Sequence, residues 1–340
     1  MYVFNTSLSI HSRHNKSICR VVLCRNRKEL SDMNIVMAIF GAMSQGLTWA
    51  ILALGVYLTF RILNFADMSC EGSFALGGSI SAVLMVNHQW NPFVTLAIAI
   101  LAGMAAGFIT GFLHTKLKIP AILSGILTMI GLYSINLRIM GQANTSLIGQ
   151  STIISIFKEL LPQAKELGIK DSTLQTWVTM GVGMVCILAV IAILYWFFGT
   201  EIGCCIRATG NNENMVRAQG VNTDKMKILG LVLSNGLIAL AGALVTQSQG
   251  YADVSMGVGA IVIGLASIVI GEVLLLRVKN FAAKLMAIVI GSIIYRIIIA
   301  VVLQFGLDTN DLKLLTAVVV ALALSVPVLR KKGTVRREGN

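Results

Sequence analysis

Apolar stretches of about the length that a helix needs to cross roughly 30 Å of hydrocarbon recur along this chain. We read nine of them, at about 36–60, 70–87, 92–115, 119–140, 175–199, 227–249, 257–276, 283–305 and 311–329. Hydrophobic residues make up 56% of the chain and charged residues only 12%, far from the balance of a soluble domain. The expectation is an all-α, polytopic membrane protein of about nine transmembrane helices, within a range of 8–10. The 32 glycines fit helices that pack closely in a membrane.

Lysine and arginine set the orientation. One set of loops holds Arg61, Lys116, Lys118, Arg207, Arg217, Lys225, Lys227, Arg277, Lys279 and Lys284, and the tail beginning at Arg330. The opposite set holds only Arg138, Lys158, Lys165, Lys170 and Lys313. The richer set faces the cytoplasm. This places loop 200–226 and the basic tail 331–340 inside, the loop 141–174 outside, and the N-terminus outside. The net charge of +12 sits in short loops and does not point to nucleic acid. Residues 1–32 conflict with the assignment, because they carry Arg13, Lys16, Arg20, Arg25, Arg27 and Lys28. Two readings stand. Either Met33 is the native start, with Arg27-Lys28-Glu29 encoded by a purine run like a ribosome-binding site, or the segment is a cytoplasmic tail and one span is miscounted.

Two passages echo each other. Ser44-Gln45-Gly46-Leu47 resembles Ser234-Asn235-Gly236-Leu237, and Phe65-Ala66-Asp67-Met68-Ser69 resembles Tyr251-Ala252-Asp253-Val254-Ser255. Gly78 and Ser81 then match Gly264 and Ser267. An odd number of crossings separates the copies, which is the pattern of inverted-topology repeats. The Gly- and Ser-rich second and seventh spans are expected near the pseudo-symmetry axis, with Ser81 and Ser267 lining a pathway.

Sequence motifs for chemistry are absent: there is no Walker A run, no HExxH and no GxSxG. The six cysteines lack zinc-like spacing, and no metal or cofactor is expected on this chain. Charges at membrane depth are costly and face protein or water. Asp67, Glu71, Glu272 and Arg296 are therefore candidates for gating or solute contact, with interhelical bonding or snorkelling as the plainer account. Asp67 and Glu71 are expected near the cytoplasmic end of the second span, sharing a face if that stretch is helical. Glu272 is expected shallower than Arg296. Outside, Thr152–Leu167 has helix-like apolar spacing, interrupted at Pro162, and fits either an interfacial helix or a docking surface.

The polar loop 200–226 lies between two apolar blocks. Gly203, Gly210 and Gly220 are expected to allow tight turns. Asn211 and Asn222 are good helix N-caps, framing a short helix from about Asn212 to Ala218. Arg207, Arg217, Lys225 and Lys227 are available for acidic groups on a partner, or for lipid headgroups.

This loop resembles that of the membrane permease subunits of bacterial ABC importers of the branched-chain amino acid and ribose type. The matching residues are Gly203, then Arg207-Ala208-Thr209-Gly210-Asn211-Asn212, then Arg217-Ala218-Gln219-Gly220-Val221-Asn222, followed by Ala241-Gly242-Ala243. Asn64-Phe65-Ala66-Asp67 and Glu71-Gly72 through Gly77-Gly78 extend the match, which covers about residues 34–330. The resemblance implies a multi-pass protein of the bacterial plasma membrane and alternating access in a permease dimer, a homodimer by preference. It implies an extracellular substrate-binding lipoprotein, and cytosolic ABC ATPase subunits that hold the ATP. Gly203, Arg207, Gly210, Asn211, Asn212, Glu213, Arg217, Gly220 and Asn222 would form the loop that touches the ATPase. The chain departs from the branched-chain amino acid pattern at Asp67-Met68-Ser69 and along 259–272. There it is more similar to a Gram-positive branch for which aromatic amino acids have been proposed as substrates. The rival reading is a stand-alone secondary transporter or channel, which leaves the long polar loop unexplained.

Overall fold

The computed structural model describes residues 37–160, 171–274 and 280–304, with single positions between 314 and 325. The expectations for residues 1–32, for Pro162, for most of the ninth span and for the tail 331–340 lie outside these described residues.

Helix α1 spans Met37–Ile62 and closes in a π-helical turn at Leu58–Ile62. It is followed by α2 (Cys70–His88), α3 (Pro92–Thr115), α4 (Ala121–Met140), strand β1 (Asn144–Ser146) and α5 (Ile153–Leu160). Then come α6 (Asp171–Gly199), α7 (Glu201–Asn211), α8 (Glu213–Ala218), α9 (Thr223–Gln249), β2 (Tyr251–Asp253), α10 (Ala260–Leu274) and α11 (Phe281–Gln304). Starts are written locally. Asn91 accepts from the Phe93 amide at 3.0 Å with Pro92 behind it, and Asn222 accepts from the Lys225 amide at 3.1 Å.

Six helices, α1, α3, α4, α6, α9 and α11, are long and apolar enough to cross a membrane. Their burial differs. The apolar windows of α1 and α9 are 72% and 67% buried, against 28% for α4, so α1 and α9 form the central pair. Their apolar residues, Ile51, Leu52, Leu54, Leu231 and Ile238 among them, make the main core.

The two remaining spans differ from expectation. After α1 the chain turns at Asn64 (φ 52°) and runs without helix to Ser69. Ser69 and Ser73 then meet Asn235, about halfway along α9. Helix α2 therefore starts inside the bundle, midway along α9, rather than at its end. The described part of α10 has 15 residues, about 22 Å at 1.5 Å per residue. Non-helical backbone at such depth is tolerated because protein surrounds it. Asp67 thus precedes α2 and does not share a helical face with Glu71.

The inverted repeat is visible in contacts. Helix α9 lies antiparallel to α1, since Gly55 packs on Ser234 and Ile238 while Leu63 packs on Gly230. Helix α2 runs alongside α9, and α10 alongside α1. A Cβ on Gly78 would meet Thr246, and one on Gly264 would meet Val56, which is the residue equivalent to Thr246. Each half-helix is entered the same way, by a left-handed residue (Asn64, Gly250) and an aspartate turn. Asp67 Oδ1 accepts from the Ser69 amide at 2.8 Å, and Asp253 Oδ1 from the Ser255 amide at 2.7 Å. In the second half, β2 also pairs antiparallel with β1.

Helix α5 seats Ile153 and Ile154 against its own chain, Ile154 with Leu174 and Val178 of α6. Phe157 on the same helix stays exposed.

Candidate functional site

The polar loop 200–226 is a helical unit. Thr200 caps α7, accepting from the Gly203 amide at 3.3 Å. Gly203 and Gly210 lie within α7 and not in turns. They are needed for close approach: a Cβ on Gly210 would stand 1.9 Å from the Ile62 carbonyl oxygen at the end of α1. Only Gly220, at φ 84°, occupies a left-handed turn. Asn211 ends α7, and Asn212 is the cap of α8, its Oδ1 accepting from the Met215 amide at 3.1 Å.

Helix α8 has six residues, too short to hold itself. Val216 is buried beneath it, while Met215 stays exposed. Glu213 is the brace. Its Oε2 accepts from Lys227 Nζ at 2.7 Å, and its Oε1 from Arg217 at 2.8 Å and Thr223 at 3.2 Å. The Lys227 ammonium, hydrogen-bonded to it, with Thr223 and Arg217 alongside, holds the Glu213 carboxyl below its ordinary value. Arg217 and Lys227 are therefore engaged within the chain, where sequence reasoning offered them to a partner. Arg207 lies elsewhere, 5.6 Å from the Phe281 ring, in a groove of about 680 Å³ with Trp196, Thr200 and Asn280.

The membrane candidates fall in separate places. Asp67 is fully buried and accepts from Asn235 Nδ2 at 2.8 Å. Glu71 Oε1 accepts from the Gly259 amide at 2.9 Å, at the entry to α10. Ser81 receives Gln247 Nε2 at 3.2 Å, and Gln247 also donates to Thr95 at 3.3 Å. Ser267 is buried with its hydroxyl on the Ile263 carbonyl, packed against Gly291. Glu272 forms a two-bond ion pair with Arg61 where α1 and α10 end, with Nε to Oε1 at 3.0 Å. Arg296 stands over the Trp49 ring, 4.1 Å from its centroid. Asn235, Gln247 and Trp49 escaped the sequence reading, which followed charges. The signal for the first two was an amide within an otherwise apolar helix. No group of three metal-ligating side chains occurs among the described residues.

Comparison with known proteins follows the same chain length. The family described as branched-chain amino acid transport system / permease component matches residues 38–326. A tyrosine transport system permease protein of Clostridioides difficile (strain R20291) is 40% identical over 287 residues, covering 84% of this chain and 90% of the relative. An uncharacterized protein of Rickettsia prowazekii (strain Madrid E) is 32% identical over 296 residues, covering 86% and 98%. A ribose import permease protein of Escherichia coli (strain K12) is 27% identical over 208 residues, covering 61% and 60%.

Proposed function

Because the chain belongs to the branched-chain amino acid transport permease family, and is thus the membrane component of an ABC-type transport system with no ATPase site of its own, we propose that it imports an amino acid through a dimer of permease chains. An extracellular binding lipoprotein delivers the solute, and two cytosolic ATPases drive the cycle. An aromatic amino acid is the preferred solute. The similarity to a tyrosine transport permease supports this choice.

In this reading α8 is the coupling helix. The observation that carries it is the bracing of so short a helix. Glu213 ties α8 to the start of α9 through Lys227 and Thr223, and α7 leans on the end of α1 through Gly210. A push on α8 is thereby delivered to the two central helices. Exposed Met215 offers an apolar contact to the ATPase groove.

The test is co-purification and uptake. Gly220→Trp strains the left-handed turn, and Arg217→Glu sets two acids against each other at Glu213. Both variants should insert in the membrane, lose the ATPase on affinity capture and lose labelled tyrosine uptake. Normal capture and uptake would sink the coupling role. Competition of uptake by a panel of amino acids tests the solute separately.

A further inference from the structure

A second cavity, of about 420 Å³, lies between α1, the entry to α10, α11 and Thr316–Ala317. Trp49, Arg296, Val262, Ile263 and Ile299 are among its walls. Two of these residues carry unanswered donors. Arg296 Nε and Trp49 Nε1 are both buried and have no hydrogen-bond partner among the described residues. No acidic side chain is found among the described residues of the wall. The Gly259 amide at the start of α10 is already answered by Glu71.

A buried guanidinium N–H with no partner among the described residues is costly in apolar surroundings. The fold does not demand it either. By the register of the repeat, Gly46 meets Ile293 where Gly236 meets Met104, so Gly107 holds the place of Arg296 in the first half. Arginine and the indole N–H both donate and cannot accept. The rest of the wall is largely apolar. A carboxylate joined to an apolar or aromatic group satisfies all of these features at once. Arginine takes carboxylates by a two-bond fork, and the neighbouring walls take the ring.

We propose that Trp49 and Arg296 form a binding site for the carboxylate of a small organic acid with an apolar side chain, on the route of the transported solute. This deepens the amino acid reading above and rests on it, since a carboxylate is what such solutes share.

The test uses the full chain in phosphatidylcholine nanodiscs, with Trp90, Trp177 and Trp196 changed to Phe so that emission reports Trp49. Titration with 3-phenylpropionate should change Trp49 emission saturably, and phenethylamine, which has no carboxylate, should not. Arg296→Gln should weaken the response by about tenfold or more, while Arg296→Lys keeps part of it. An equal response to phenethylamine, a response that Arg296→Gln leaves intact, or no response at all would overturn the site. So would a change seen only when phosphatidylglycerol is added, which would assign the cavity to lipid phosphate. None of these readings needs the ATPase, so the site can fail while coupling through α8 stands, and the reverse.

Discussion

The two inverted halves use one scaffold and pack it differently. In the seam between α3 and α9, glycines bring backbones together. A Cβ on Gly103 would stand 2.4 Å from the Ala239 Cβ, and one on Gly107 would stand 2.3 Å from the Leu231 carbonyl oxygen. In the seam between α1 and α11, the places of Ala239 and Gly107 are held by Trp49 and Arg296, and a cavity opens beside them. Symmetry of backbone thus coexists with asymmetry of filling. One seam is closed by small residues, which suits helices that associate through close packing. The other closes at Gly46 against Ile293 and is filled farther along by two bulky side chains, Trp49 and Arg296.

The sharpest way to break this contrast is Gly107→Leu. The obstacle is a backbone carbonyl that cannot rotate away, so the cost should reach or exceed the upper end of the about 1–3 kcal/mol typical of overpacking. Gly41→Leu, with nothing within 4 Å, is the matched control. Size-exclusion profiles in detergent should show loss of monodisperse protein for the first and none for the second.

Next in size is the pair of aspartate turns. Asp67 is buried with Asn235, and Asp253 makes the same turn at an exposed site. Asn235→Ala leaves a buried carboxylate oxygen without its donor and should cost about 3 kcal/mol. Asp253→Ala should cost about 1 kcal/mol. Thermal unfolding of the two variants gives the difference, and equal losses would mean that burial does not separate the halves.

Acid acts on the unit that touches both seams. The folded value of Glu213 lies below its unfolded one, so its contribution is present above the unfolded value, about 4.3, and is lost as pH falls through the folded value. Hydrogen exchange at residues 213–218 should therefore quicken below about pH 4, and earlier than exchange within α9. The effect should be absent in Glu213→Gln. The smallest change is expected of Trp49→Phe. It removes an unanswered donor beside a cavity and should shift stability by less than about 1.5 kcal/mol, with melting temperature level or raised.

How much of this was legible follows from what each feature needs. Span lengths are local, so most helices were readable from apolar runs. The starts of α2 and α10 were not, because Phe65–Asp67 and Val254–Val258 are no more polar than a helix of this protein. Their backbone is satisfied by tertiary neighbours. The echo of Phe65–Ser69 in Tyr251–Ser255 marked the repeat, and the structure shows what the shared aspartate does, closing a turn at each entry. Within the polar loop 200–226, Asn222 announced α9, whereas the cap of α8 is Asn212 and not the expected Asn211. Glycine in α7 misled, since Gly210 serves an approach to Ile62 and not a turn. Arg217 looked free because its partners, Glu213 apart, are set by how α8 folds back on Thr223 and Asp224. Trp49 and Arg296 are brought together only by the packing of α1 on α11.

One bond described above bears on motion. Glu71, from the first half, answers the amide of Gly259 at the entry to α10 in the second. The first half thus finishes a piece of the second half's secondary structure. Drawing α2 away from α10 would leave a half-buried amide and carboxylate without each other, a cost of about 1 kcal/mol. The joint at Glu71 and Gly259 is therefore a clamp between the two inverted halves, set where α2 and α10 begin.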